Sequence, residues 1–205
     1  VPNFAALPAA GPPSDRTREH PCGPWLFAGR LTAEKGVLEL LARWPAGEPL
    51  DIVGDGELHA EARAAAPAGV RFLGPLDRNE LRRRLPDWRG LVFPSRCFEG
   101  APLIHVEALA AGLPVLAFAG SSVAEAVRAH GTGTVVDWHE PLLPALHRAD
   151  ATFPTLRAHC RRVFAAHFTE TAWLDAIRRL YGEVIHQVIH AEAASAAVLP
   201  PAVTR

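Results

Sequence analysis

Six times along the chain, a run of three or four mainly apolar residues gives way to a stretch with helical apolar spacing. Trp25-Leu26-Phe27-Ala28 stops at Gly29 and precedes Val37-Leu38, Leu40-Leu41 and Trp44. Leu50-Asp51-Ile52-Val53 stops at Gly54-Asp55-Gly56, ahead of Glu57 to Ala66; Val70-Arg71-Phe72-Leu73 stops at Gly74-Pro75, ahead of Glu80 to Leu85. Leu91-Val92-Phe93 stops at Pro94-Ser95 before Leu103 to Ala111, Val115 to Phe118 precedes Val123 to Ala129, and Thr134-Val135-Val136 precedes Leu142 to His147. Short apolar runs of this kind are strands buried on both faces, and their alternation with helices predicts a doubly wound, Rossmann-like α/β domain around a parallel sheet. Such a sheet binds ligands at the carboxyl ends of its strands.

The ends of the chain read differently. Residues 1–24, with Pro8, Pro12 and Pro13 among alanines, have no sustained period and read as a linker or arm. Beyond Asp150 the pattern is helical only, in Leu156 to Phe168 and Trp173 to His190, and residues 191–205 are expected to be an unstructured tail. A chain of 205 residues can bury roughly 70% of its unfolded surface, which suits one core spanning 25–190.

Charge and cysteine exclude several classes. A formal net charge of −1 leaves no electrostatic footprint for nucleic acid, and the runs Arg82-Arg83-Arg84, Arg161-Arg162 and Arg178-Arg179 read as solvated helix faces. Three scattered cysteines, Cys22, Cys97 and Cys160, fit neither a disulfide framework nor a zinc ribbon and suit a reducing compartment, so a cytoplasmic location is expected. His186 and His190 share a helix face without an acidic partner, and no metal site is expected. His105 reads as a packing residue rather than a catalyst, and Gly54-Asp55-Gly56 is not a dinucleotide fingerprint, which would follow the first strand.

Two segments carry chemistry. Pro102 suits the first turn of a helix and Gly112 its end, so the amides of Leu103 and Ile104, with Gly100 and Ala101 of the loop, would face an anion such as phosphate. Glu107 lies five residues past Pro102, roughly 7 Å along the axis and on the face of Leu103, while Glu99 stands on the other side of the anion site. Carboxylates repel phosphate, so the pair is better suited to accept hydroxyls, a ribose at one end and a sugar at the other. The alternative is that Glu99 caps the helix and Glu107 is surface. In the second segment, Gly29-Arg30-Leu31-Thr32-Ala33-Glu34-Lys35-Gly36, Arg30 and Lys35 follow the first strand, where a guanidinium fork and a compact ammonium could hold a diphosphate. Of 21 basic side chains Lys35 is the one lysine, which hints at a place where the narrower cation is required.

The order and spacing of Gly29-Arg30 with Lys35-Gly36, Gly54-Asp55-Gly56, Phe72-Leu73-Gly74, and Glu99-Gly100 with Glu107 resemble the C-terminal half of a GT-B glycosyltransferase. The resemblance is to the large retaining family four (glycosyl transferases group 1), and it covers about Trp25 to Tyr181. Val1-Pro2-Asn3 is similar to the stretch that enters that family's interdomain linker, with Phe4 in place of its glycine, so the chain is expected to start at the hinge. The resemblance implies that Arg30 and Lys35 hold the diphosphate of a UDP-, GDP- or ADP-sugar, that Glu107 binds the ribose, and that Glu99 faces the transferred sugar. It implies that the backbone of Arg71, Phe72 and Leu73 frames the base. Ser121-Ser122-Val123-Ala124-Glu125 stands where the family often has Gly-Gly-x-x-Glu. The implied reaction is metal-free retaining transfer of a hexose-type sugar to a glycan or lipid-linked acceptor, as in polysaccharide or lipopolysaccharide synthesis. The acceptor would be held by an N-terminal domain or partner chain that is not in this sequence, any membrane contact would be made through that half, and the present chain alone would transfer little. Alternatives are a non-catalytic nucleotide-binding or partner-binding module, and a truncated sugar-nucleotide epimerase of similar architecture.

Overall fold

The computed structural model describes residues 23–96 and 102–196, with side chains described through 186. Glu99, Gly100, Ala101, Cys97, and the expected arm up to residue 22 lie outside the described residues.

Each of the six apolar runs is a strand: β1 Trp25–Ala28, β2 Leu50–Val53, β3 Val70–Gly74, β4 Leu91–Phe93, β5 Val115–Phe118 and β6 Gly133–Val136. All pair in parallel, in the order β3-β2-β1-β4-β5-β6. The order reverses direction between β1 and β4, and the crevice outside their carboxyl ends is the switch point at which doubly wound sheets take ligands.

The intervening helices are α1 Val37–Arg43, α2 His59–Ala65, α3 Arg78–Arg84, α4 Leu103–Ala111, α5 Ser122–His130, α6 Leu142–His167 and α7 Glu170–Ala196. Strand periodicity divides the core in two. Trp25, Phe27, Ile52, Leu116 and Val136 face α1, α2 and the first half of α6. Leu26, Val53, Phe93, Val115 and Ala117 face α4, α5 and the turn after α3. Burial on both faces is why these strands read as continuous apolar runs.

Two boundaries differ from the sequence reading. Helical segments expected at 142–147 and from 156 are one helix, α6, which runs through Pro154. A proline inside a helix costs about 3 kcal/mol. That cost is offset by an apolar face continuing across it, with Ala145, Leu146, Ala149 and Phe153 on one side and Cys160 and Val163 on the other. The second half of α6 packs on Val106 and Leu109 of α4. The tail expected from residue 191 is helical through Ala196, as the last part of α7.

Candidate functional site: a cleft at the sheet's switch point

Backbone contacts between loops build the first wall of the cleft. Gly29 N donates to Val53 O (3.0 Å), Leu31 N to Asp55 O (2.9 Å) and Leu58 N to Leu31 O (3.0 Å), so the loops after β1 and β2 lie against one another. Gly54 has φ +131°, and a Cβ there would sit 1.9 Å from Gly29 O. Only glycine fits this approach, which explains Gly54-Asp55-Gly56 without any ligand. The loop after β4 is fastened to the same wall, since Arg96 N donates to Glu34 O (3.0 Å), as does Ser95 Oγ (3.2 Å). Gly36, at φ +71°, leaves 2.3 Å between its missing Cβ and Pro94 O.

Along this wall lie Gly29, Arg30 and Lys35, the last in a 3-10 turn, Ala33–Lys35, ahead of α1. Arg30 Nη2 bonds Glu34 Oε1 at 3.1 Å in an exposed pair. The Glu34 carboxyl is held below the usual carboxylate range, first by its own backbone amide, then by Thr32, with Arg30 and Lys35 adding to the effect. Glu34 was not singled out from the sequence; its position between the two cations was the available signal.

The second wall is α4. Its N-cap, Pro102, offers no side-chain acceptor, whereas α3 is capped by Asp77 (to Asn79 N and Glu80 N) and α5 by Ser121 (to Ala124 N). Pro102 thus stands one residue before the helix rather than in its first turn. The first bond back to it comes from His105 N (3.0 Å), so the amides of Leu103 and Ile104 lie ahead of the helical ladder, at the positive end of its dipole. Gly112 closes the helix in the left-handed region, as expected.

Pro102, Leu103, Ile104 and Glu107 line the cleft together with Gly29, Arg30 and Lys35 around a volume of about 540 Å³, within the usual range for small-molecule sites. Glu107 is not the surface residue of the alternative reading. It is only 5% exposed, and its Oε1 accepts from Arg78 Nε (2.7 Å) and Arg82 Nε (3.0 Å). Arg82, assigned from its run to a solvated face, therefore points inward. Its neighbours part company: Arg83 pairs with Glu80 on the surface, and Arg84 lies over the Trp88 ring at 5.2 Å. Proximity in sequence concealed three different environments.

Residues 71–73, whose backbone the resemblance assigns to the base, are not among the described residues that line this volume, and the side chains of Arg71 and Phe72 have partners of their own. Arg71 turns to the buried Asp51, which it holds through two bonds (2.8 and 3.1 Å) while Trp88 Nε1 donates a third (2.9 Å). Phe72 packs edge-on to His59 and beneath Arg63. Pro75 and Leu76, just past the end of β3 at Gly74, and Leu81 of α3 do line the cleft. His105 is buried against Phe168, and burial, with His130 nearby, pushes its pKa down to about 4. Burial raises the Cys160 thiol to about 12, which leaves it inert near neutral pH. No helix among the described residues is long and apolar enough to cross a membrane, and among them no group of three or more His, Cys, Asp or Glu could hold a metal.

Fold and cleft define a doubly wound domain whose switch-point crevice is lined by Arg30, Lys35 and the amide end of α4 and flanked by a buried acid. The family comparison gives that class its membership: residues 24–148 match the model of glycosyl transferases group 1, and the chain belongs to that family. It is 34% identical over 130 residues to a D-inositol 3-phosphate glycosyltransferase of Streptomyces scabiei, covering 63% of this chain and 29% of the relative. It is 32% identical over 193 residues to the same kind of enzyme from a Nocardioides species, covering 78% and 42%. Among solved structures it resembles sucrose-phosphate synthase of Thermosynechococcus elongatus (26% identity, TM-score 0.61, 83% of this chain and 46% of that one). It also shares the fold of Anabaena HepE in complex with UDP and glucose (19%, TM-score 0.58, 80% and 48%). The domain has the fold of the C-terminal half of a GT-B glycosyltransferase, and the chain spans less than half the length of each of these four proteins.

Proposed function

We propose that the cleft binds the nucleoside diphosphate of a sugar donor and presents the sugar for retaining transfer to a glycan or lipid-linked acceptor held by the remainder of a GT-B enzyme. The observation that carries this reading is the convergence on one crevice of Arg30, Lys35, the amide end of α4 and Glu107. UDP and glucose in HepE favour the same ligand class.

Breaking the bond between the anomeric carbon and the diphosphate leaves negative charge on the departing oxygen. Arg30, Lys35 and the amides of Leu103 and Ile104 are the groups available to stabilise it, and they need no metal to do so. Arg30 would exchange Glu34 for phosphate, a small cost for an exposed ion pair. Glu107 would accept from the ribose hydroxyls, and Glu99, with Gly100 and Ala101, would meet the sugar and its phosphate. A cytoplasmic setting, with membrane contact only through the remainder of the enzyme, belongs to the same proposal.

The test is a thermal-shift panel with UDP, GDP and ADP and their sugars. Stabilisation by one nucleotide series that disappears in Arg30→Ala and Glu107→Ala is the expected result. Indifference to every nucleotide would overturn the donor site. Robust sugar transfer by this chain alone to a matched acceptor would overturn the division of labour between halves.

A further inference from the structure

A buried carboxylate beside a diphosphate site poses an electrostatic problem. Glu107 is only 5% exposed, and its carboxyl lines the crevice that Arg30 and Lys35 flank. Left alone, it would be expensive to desolvate and would repel the phosphates it is meant to accompany. The structure answers with α3. Asp77 caps that helix through Asn79 N and Glu80 N, fixing its start. Arg78 and Arg82 are four residues apart and therefore share a face. Both reach across to α4 and bond the same oxygen, Oε1. Two guanidiniums face one carboxyl group, so the formal charges of the three side chains sum to +1. Fixing Oε1 also fixes the plane of the carboxylate.

We propose that Arg82, assisted by Arg78, is a positioning residue for the donor site: it orients Glu107 toward the ribose and cancels its charge in front of the diphosphate. Arg82 has the larger part because its side chain is 20% exposed against 52% for Arg78, so its bond is the less screened by solvent. The assignment rests on the donor-site reading, and it adds residues that the resemblance does not include. Its consequence is a specificity element on α3, which also lends Leu81 to the lining of the cleft.

The experiment measures, by calorimetry on the 205-residue chain, the affinity for the best nucleoside diphosphate and for its 2′,3′-dideoxy analogue. The ratio of the two reads the ribose contact and is insensitive to a uniform loss of folded protein. The unsubstituted chain should prefer the ribonucleotide by about tenfold or more, the worth of one charge-assisted hydrogen bond. Arg82→Met should bring the ratio close to one, Arg82→Lys should restore part of it, and Glu107→Gln should lower it by itself. In Glu107→Gln/Arg82→Met, a form that has no buried carboxylate to hold, the second substitution should cost little more.

A ratio that Glu107→Gln lowers but Arg82→Met leaves intact would overturn the positioning role alone. The same would follow if the double variant lost the sum of the single effects. Failure of the unsubstituted chain to bind any nucleotide, or a ratio indifferent to Glu107→Gln, would overturn the donor-site reading and the arginine assignment with it.

Discussion

The two walls of the cleft are built from different materials. The wall after β1 and β2 is main chain against main chain, closed by amide bonds and by glycines that leave no room for a Cβ. The wall on α3 and α4 is side chain against side chain, an acid held by two arginines whose positions lie 25 and 29 residues away in sequence. The glycine seam of the first is sensitive to added volume; the acid of the second is sensitive to the loss of the charges that hold it. A methyl added at the seam and a charge removed at the acid should therefore be felt in different measurements, the first in stability and the second in affinity.

The largest effect is expected at Gly54→Ala. The new Cβ meets the Gly29 carbonyl, and φ is in a region that alanine avoids, so strain and overpacking together should cost about 4 kcal/mol. Urea unfolding should show the midpoint fall, whereas Gly29→Ala, which has open space around its Cβ, should retain most of its stability.

Acid should act on the other wall. His105, on α4 behind Glu107, has its pKa pushed down to about 4 from an ordinary 6.5 by burial, so the unfolded chain takes up the proton first. Stability is therefore complete above about pH 6.5 and falls as the pH drops from 6.5 to 4, by on the order of 3 kcal/mol. His130, also pushed down by burial and by His167 and His159, acts in the same direction. Stability curves from pH 4 to 7 should flatten in His105→Leu; an unchanged slope would show that the acid sensitivity lies elsewhere.

Charge removal at the cleft comes next. Glu107→Ala leaves two guanidiniums without their acid and should weaken nucleotide binding by ten- to a hundredfold, read by titration calorimetry. The smallest effect in the set is that of Lys35→Ala, about tenfold on a diphosphate and none on the free nucleoside. Arg179→Ala, on the exposed face of α7, should leave both affinities unchanged. A nucleoside that binds Lys35→Ala as poorly as its diphosphate does would erase the distinction between the walls.

What could be read before folding follows the same division. Strand positions were legible to within a residue, because a strand buried on both faces must be apolar and its exit at a tight turn favours glycine or proline. The start and end of α4 were legible from Pro102 and Gly112 for similarly local reasons. The arginines on Glu107 were not, since nothing local distinguishes Arg82 from Arg83 and Arg84; only the packing of α3 beside α4 separates them. The side-chain partner of Arg71 was not legible for a related reason, since it is the buried acid on the neighbouring strand, twenty residues back in sequence. Pro154 showed the limit of breaker rules where a helix has apolar partners on both sides of the break.

The seam between the loops after β1 and β2 has a thermodynamic consequence. Because Gly29, Leu31 and Leu58 are bonded across it in the folded chain, the configurational entropy of those loops is surrendered when the domain folds, not when a nucleotide arrives. Ligand affinity at this wall is then reduced by no loop-ordering term, and the protection of these three amides against hydrogen exchange should be the same with and without nucleotide.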